Sequence, residues 1–125
     1  MPRFILLEHT GAPDDLAGRH FDLLLEAGDA CRTWRLEEIP SPAGQAVAAE
    51  AIAPHRLAWL DHEEGEVSGG RGHARRVDGG SYEPAIEPIA AAWVPENICV
   101  KLIGDHATRQ LTLDRSATGW TARIE

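Results

Sequence analysis

Arg19-His20-Phe21-Asp22-Leu23-Leu24-Leu25-Glu26, then Ala27-Gly28-Asp29, then Cys31-Arg32-Thr33-Trp34-Arg35-Leu36, is the stretch whose reading decides the fold. Both outer segments have the length and composition of strands, and the glycine-aspartate step between them is a turn signal. Residues 19 to 36 are therefore expected to form a β-hairpin. Successive residues of a strand point to opposite faces, so His20 and Asp22 should share one face while Phe21, Leu23 and Leu25 pack on the other.

Upstream, Phe4-Ile5-Leu6-Leu7-Glu8-His9 is another apolar run of strand length. Downstream, Pro40-Ser41-Pro42-Ala43-Gly44 breaks the chain. Gln45 to Ala53 stays open between helix, favoured by its alanines, and strand, favoured by its short span between Gly44 and Pro54. Glu63 to Gly72 reads as a glycine-rich loop, and Gly79-Gly80 as the turn of a hairpin around residues 73–87. Pro84, Pro88 and Pro95 leave room for a short helical turn at Ile89 to Trp93. Ile98–Ile103, Arg109–Asp114 and Trp120–Ile124 then make three closely spaced strands, with turns at Gly104-Asp105 and Ser116 to Gly119. Seven or eight short strands without a long amphipathic helix imply a mainly β chain, an antiparallel barrel or sandwich with one or two short helical turns.

The 125 residues suit one domain, 1–125, and the apolar share of 43% against 26% charged residues is that of a folded globule. Twelve Lys and Arg against 20 Asp and Glu leave a net charge of −8, the wrong sign for a general nucleic-acid coat protein. No apolar run approaches the roughly 18 residues of a membrane span, and Met1-Pro2-Arg3-Phe4 does not open a secretory signal, so no membrane association and a cytoplasmic location are expected. Cys31 and Cys99 are too far apart and too few for a zinc ribbon or a disulfide framework; both read as buried thiols.

Six histidines beside a single lysine, Lys101, point toward metal or acid/base chemistry. Residues two apart on a strand have roots about 6 to 7 Å apart, within reach of one cation, so His20 and Asp22 can be two ligands of one metal. His9, at the end of the first strand, is the candidate third. Imidazole and carboxylate ligands with open positions suit Mn²⁺, Zn²⁺ or Fe²⁺. The plainer alternative is a surface ion pair. His62, His73 and His106 lie in polar contexts and read as surface residues, while Trp34, Trp93 and Trp120 read as core.

The same run, Arg19 to Glu26, resembles the LHYDFRLE segment of the 3′-phosphoesterase domain of bacterial DNA ligase D. Later features follow in the same order. Thr33-Trp34 and Pro40-Ser41 resemble its tryptophan strand and Pro-Ser break, and Ala53-Pro54-His55-Arg56-Leu57 stands where it has EDHPL. Glu64 to Gly72 is similar to its glycine-rich loop and Asp78-Gly79-Gly80-Ser81-Tyr82-Glu83 to its DxGxYE. Val100 to Gly104, Leu111-Thr112-Leu113 and Trp120 resemble its closing hairpin. The resemblance runs from Phe4 to Ile124 and implies a small antiparallel β-barrel with a metal site at one end, with strand for residues 45–53.

What the resemblance implies about function is the trimming of nucleic-acid 3′ ends in DNA repair, by removal of a terminal ribonucleoside and then a 3′-phosphate with Mn²⁺. Carried onto this chain, His9, His20 and Asp22 are the metal ligands and, with His55 facing the phosphate, the catalytic set. Arg71 in the glycine-rich loop, Trp59 and Arg19 are the candidate substrate contacts; Arg75 and Arg76 read as solvated strand residues. The chain departs from the family in five places. Thr10 to Asp15 lengthens the span between His9 and His20, and Leu24 replaces an arginine that would clamp phosphate. Ala53 and Trp59 replace a glutamate and a tyrosine, and the lysine after the tryptophan strand has no counterpart. A stand-alone domain of this kind would act on a nucleic-acid 3′ end or a smaller phosphoester, finding it unaided or through a DNA ligase or polymerase partner. The alternatives are a non-catalytic metal- or partner-binding module on the same barrel and, more remotely, a cupin-like metalloenzyme.

Overall fold

The hairpin is the backbone of the structure, a computed structural model that describes residues 2–13, 15–42, 45–84, 93–94, 97–117 and 119–125. Strands β2 (Arg19–Ala27) and β3 (Ala30–Leu36) pair antiparallel with Ala27 opposite Ala30, so Gly28-Asp29 is a two-residue turn and Asp22 faces Arg35. On the other side of β2 lies β1 (Arg3–Thr10), with His9 opposite His20 and Leu7 opposite Asp22. Beyond β3 comes β4 (Val47–His55), which settles residues 47–55 as strand, followed by a 3-10 turn at Leu57–Asp61. The remaining strands are β5 (Glu64–Glu66), β6 (His73–Pro84), β7 (Trp93–Val94), β8 (Asn97–Gly104), β9 (Thr108–Ser116) and β10 (Gly119–Ile124).

The order β6-β1-β2-β3-β4-β10-β9-β8 returns to β6 through the pairing of Ser81 with Ile103 and Tyr82 with Leu102, closing an antiparallel barrel of eight strands. Closure removes the sheet edges that would otherwise invite association. The short β5 and β7 sit outside the ring, on β6 and β8.

Two expectations are corrected by β6. Residues 73–84 form one strand, and Gly79-Gly80 lies within its ladder instead of turning it. The reason is a close approach: a Cβ on Gly80 would lie 2.0 Å from the Ile103 carbonyl oxygen of β8, so glycine is what lets β6 cross from β1 to β8. Opposite Leu6 and Leu7 the register slips by one residue, a bulge that helps bend the strand around the barrel. The helical turn expected over Ile89 to Trp93 lies outside the described residues, apart from Trp93, which begins β7.

The barrel interior holds Phe4, Leu6, Phe21, Leu23, Leu25, Trp34 and Leu36 with the apolar residues of β8 to β10, and Trp34 meets Trp120 edge-on at 5.6 Å. The unbroken run Leu23-Leu24-Leu25 marks a strand buried on both faces. Leu24 points outward, into a second cluster with Ile5, Leu7, Cys31 and Leu60, roofed by Leu57 and Trp59 of the 3-10 turn. Both cysteines are buried free thiols, as expected. Among the described residues no helix is long and apolar enough to cross a membrane.

Candidate metal centre

His20 and Asp22 continue the line of Leu24 along β2, so they lie on the outer wall of the barrel, near the end of β2 where β1 also finishes. His9 opposes His20 directly across the β1–β2 ladder, and their ring centroids are 4.7 Å apart. One potential ligand atom from each of His9, His20 and Asp22 lies within 4.8 Å of the others.

The outer nitrogens of both rings are already committed. His9 Nε2 donates to the Arg71 carbonyl at 2.7 Å, which turns Nδ1 toward Asp22 Oδ2, 3.5 Å away. His20 Nδ1 bonds Asp15 Oδ2 at 2.8 Å, which turns Nε2 toward Asp22 Oδ1 at 3.3 Å. His20 and Asp22 are 3% and 5% exposed, and His20 Nε2 and Asp22 Oδ1 are buried without a hydrogen-bond partner. Buried polar atoms are nearly always satisfied, so two orphans converging with a third ligand atom make a group that could hold a cation. Carboxylate and carbonyl acceptors on the far side of each ring are the usual support for metal-binding imidazoles. The donor set therefore fits a divalent cation.

The electrostatics agree. The Asp22 carboxylate beside His9 outweighs that ring's partial burial and raises its pKa above 6.5. Burial pushes His20 down, but Asp22 and Asp15 together outweigh it, and its pKa is raised as well. Asp22 is buried, which alone would raise its pKa; the close approach of the His20 and His9 rings overcomes that and holds it at about 2.

A cleft of about 730 Å³ opens beside the cluster, with the end of β4 and the 3-10 turn on one side and the glycine-rich loop on the other. His9, Asp22, His55, Trp59 and Arg71 all line it. His55, at the end of β4, donates Nδ1 to the Ala53 carbonyl at 3.1 Å and lies 6.4 Å from Trp59, ring to ring. The loop is pinned by Gly72, whose φ of +98° suits glycine and whose Cβ would meet the Thr10 carbonyl oxygen at 2.1 Å. That contact lays the Arg71 carbonyl against His9. The Arg71 guanidinium braces its own loop through Ser68, Nε to the carbonyl at 2.7 Å and Nη2 to the hydroxyl at 3.2 Å.

Arg19 is not brought to the cleft. As the neighbour of His20 in a strand it points to the opposite face, over the Phe21 ring and 3.6 Å from Glu8. Arg75 and Arg76 pair with Glu8 and Asp105 at 3.3 and 2.8 Å. His62 bonds the Ala74 carbonyl, His73 pairs with Glu64, and His106 is exposed.

Two residues of the site went unread in the sequence, Asp15 and Arg35. Asp15 carried no pattern beyond its place in a polar loop before His20. Arg35 did carry one, because a two-residue turn at Gly28-Asp29 sets Ala27 opposite Ala30 and hence Asp22 opposite Arg35.

Residues 12–115 match the DNA Ligase D 3′-phosphoesterase domain. The chain belongs to that family. The match takes in His20, Asp22, Arg35, His55 and Arg71 and starts just after His9. Comparison with curated proteins finds no match. As a member of the 3′-phosphoesterase family, the chain keeps the His-x-Asp strand and the later histidine on one cleft, while Leu24, fully buried in the outer cluster, gives that cleft no cation.

Proposed function

We propose that the protein is a phosphoesterase dependent on a divalent cation, Mn²⁺ by family resemblance, that acts on 3′-phosphate or single 3′-ribonucleotide ends or on a smaller phosphoester. The observation that carries this reading is the convergence of two imidazoles and a carboxylate, with His20 Nε2 and Asp22 Oδ1 unsatisfied, beside a cleft lined by arginines in a chain of net charge −8. His9, His20 and Asp22 would hold the cation, which supplies charge neutralisation to phosphoryl oxygens and can lower the pKa of bound water.

The protein's own part is orientation and proton traffic. The Arg71 carbonyl and the Asp15 carboxylate each accept a hydrogen bond from the far nitrogen of a ring, leaving His9 to bind through Nδ1 and His20 through Nε2. His55 lines the cleft and hydrogen-bonds the Ala53 carbonyl through Nδ1–H; as the imidazolium, protonated on both nitrogens, it can deliver its Nε2 proton to the leaving oxygen. Trp59, half-buried beside it, offers a flat apolar face for a base or ribose. The acidic remainder of the surface suits a short end better than a long duplex footprint.

The test is to incubate Mn²⁺-loaded protein with a primer ending in a 3′-phosphate or one ribonucleotide, alongside an aryl phosphodiester. Turnover is expected to fall by about 100-fold or more in His20→Ala, since a lost ligand exceeds the 10- to 100-fold cost of a lost supporting residue. Cleavage of the aryl ester alone would remove the nucleic-acid assignment. The sealed position of Leu24 favours a second reading, a binding module without catalysis, which Mn²⁺ binding with no turnover of any ester would support.

A further inference from the structure

If the cleft takes a phosphoester, something must hold the oxygens that the cation leaves exposed, and the β2 position two residues beyond Asp22 cannot. Leu24 is 0% exposed there, packed with Ile5, Leu7, Cys31 and Leu60 beneath the 3-10 turn. A cationic side chain at that position would have to displace the outer cluster.

One strand over, the ladder supplies another. Arg35 on β3 stands directly opposite Asp22, so the two side chains leave the sheet on the same face, with roots about 4.5 to 5.5 Å apart. Arg35 lines the same cleft as His9, Asp22 and His55. The other arginines lining the cleft among the described residues are Arg71, in the glycine-rich loop, and Arg56, exposed at the head of the 3-10 turn. Arg35 alone of the three rises from a barrel strand and is half-buried, the setting that holds a planar fork in a defined direction.

We infer that Arg35 is the phosphate-binding arginine of this chain, gripping phosphoryl oxygens from β3 in place of the arginine that the family carries on β2. This rests on the phosphoesterase reading and adds to it the residue that recognises the anion. The register of the hairpin permits this because Asp22 and Arg35 are direct neighbours across the β2–β3 ladder.

Inorganic phosphate is the probe, since its binding does not depend on turnover. The affinity of the Mn²⁺-loaded protein for phosphate, from ³¹P line broadening, and the affinity for Mn²⁺ itself, from electron paramagnetic resonance, are measured for wild type, Arg35→Gln, Arg35→Lys and the remote control Arg76→Gln. Arg35→Gln is expected to weaken phosphate by about 10- to 100-fold, the range for a lost charge-assisted hydrogen-bond pair, with Mn²⁺ affinity changed by no more than about threefold. Arg35→Lys should recover part of the loss, because it keeps the charge without the fork. Arg76→Gln should match wild type. Unchanged phosphate affinity in Arg35→Gln, or a loss that merely tracks weaker Mn²⁺ binding, overturns the inference and makes Arg35 a brace for Asp22. Wild type that holds Mn²⁺ and binds no phosphate overturns the phosphoesterase reading itself, a separate result.

Discussion

Burial acts on Asp22 and Tyr82 in the same sense, yet the two groups end at opposite extremes. Desolvation is the largest single influence on both, but at Asp22 the two imidazoles beside the carboxylate together outweigh it and drive the group down to about 2. At Tyr82 the charge of Arg32 opposes it too weakly to prevail, and the hydroxyl is taken up to about 12. The Tyr82 hydroxyl donates to the Glu26 carbonyl next to the β2–β3 turn, so its neutral form ties β6 to the hairpin. Tyr82 is the chain's single tyrosine, and a spectrophotometric titration reads it alone. The phenolate is expected to appear near pH 12 instead of the usual value of about 10. Because the folded value is raised, this contribution to stability is complete below about pH 10 and is lost as pH climbs to 12. A midpoint near 10 in the folded protein would refute the account. At this scale the sequence was partly legible: the His20-x-Asp22 spacing pointed both groups one way, and the same alternation turns Arg19 the other way.

Among the elements, β2 and the glycine-rich loop carry the site, and both depend on local rules meeting distant partners. The Leu23-Leu24-Leu25 run is buried on both faces only because the 3-10 turn, more than thirty residues later, covers Leu24 with Leu60. Gly79-Gly80 has the composition of a turn, and what makes it strand is the carbonyl of Ile103 lying where a side chain would be. Gly72 is the corresponding contact for the site. Gly72→Ala should cost roughly 1 to 3 kcal/mol or more, since it combines a positive φ with a collision against the Thr10 carbonyl. Gly18→Ala has a similar φ of +79° but open space around it, so it should cost only about 1 kcal/mol. Urea unfolding midpoints compare the two. Equal losses would show that the packing of the loop on β1 contributes nothing. Gly72→Ala should also weaken Mn²⁺ binding, because the shifted Arg71 carbonyl no longer orients His9.

For the whole molecule, a cation at the cluster would join β1 to β2 and stiffen the loop that supports His9. Anything that binds the folded state alone stabilises it, by about 2.7 kcal/mol at a hundredfold excess over Kd. In a domain of this size that corresponds to a rise in Tm of about 10 °C. The pH dependence has a definite sign. With raised imidazole pKa values, the metal-free protein has their contribution in full below about pH 6.5 and loses it as pH rises through the folded values. Metal binding runs the other way, since the rings must be neutral to bind. The Mn²⁺-dependent increase in Tm should therefore be small at pH 5.5 and grow toward pH 8, as scanning calorimetry with and without a chelator would show. A shift independent of pH, or none at all, would mean that His9 and His20 hold no metal.

The sequence by itself determined the β-hairpin, the faces of its strands, the buried thiols and the family, because each follows from side-chain periodicity, turn residues and ordered motifs that act over a few residues. Tertiary structure alone decided that β6 runs straight through Gly79-Gly80, that the 3-10 turn seals Leu24, and that Asp15 and the Arg71 carbonyl brace the rings of His20 and His9. Those outcomes depend on which strands are neighbours in a closed ring. Pairings such as β6 with β8 set the curvature and stagger of the wall, and no short stretch of chain contains both partners of such a pairing.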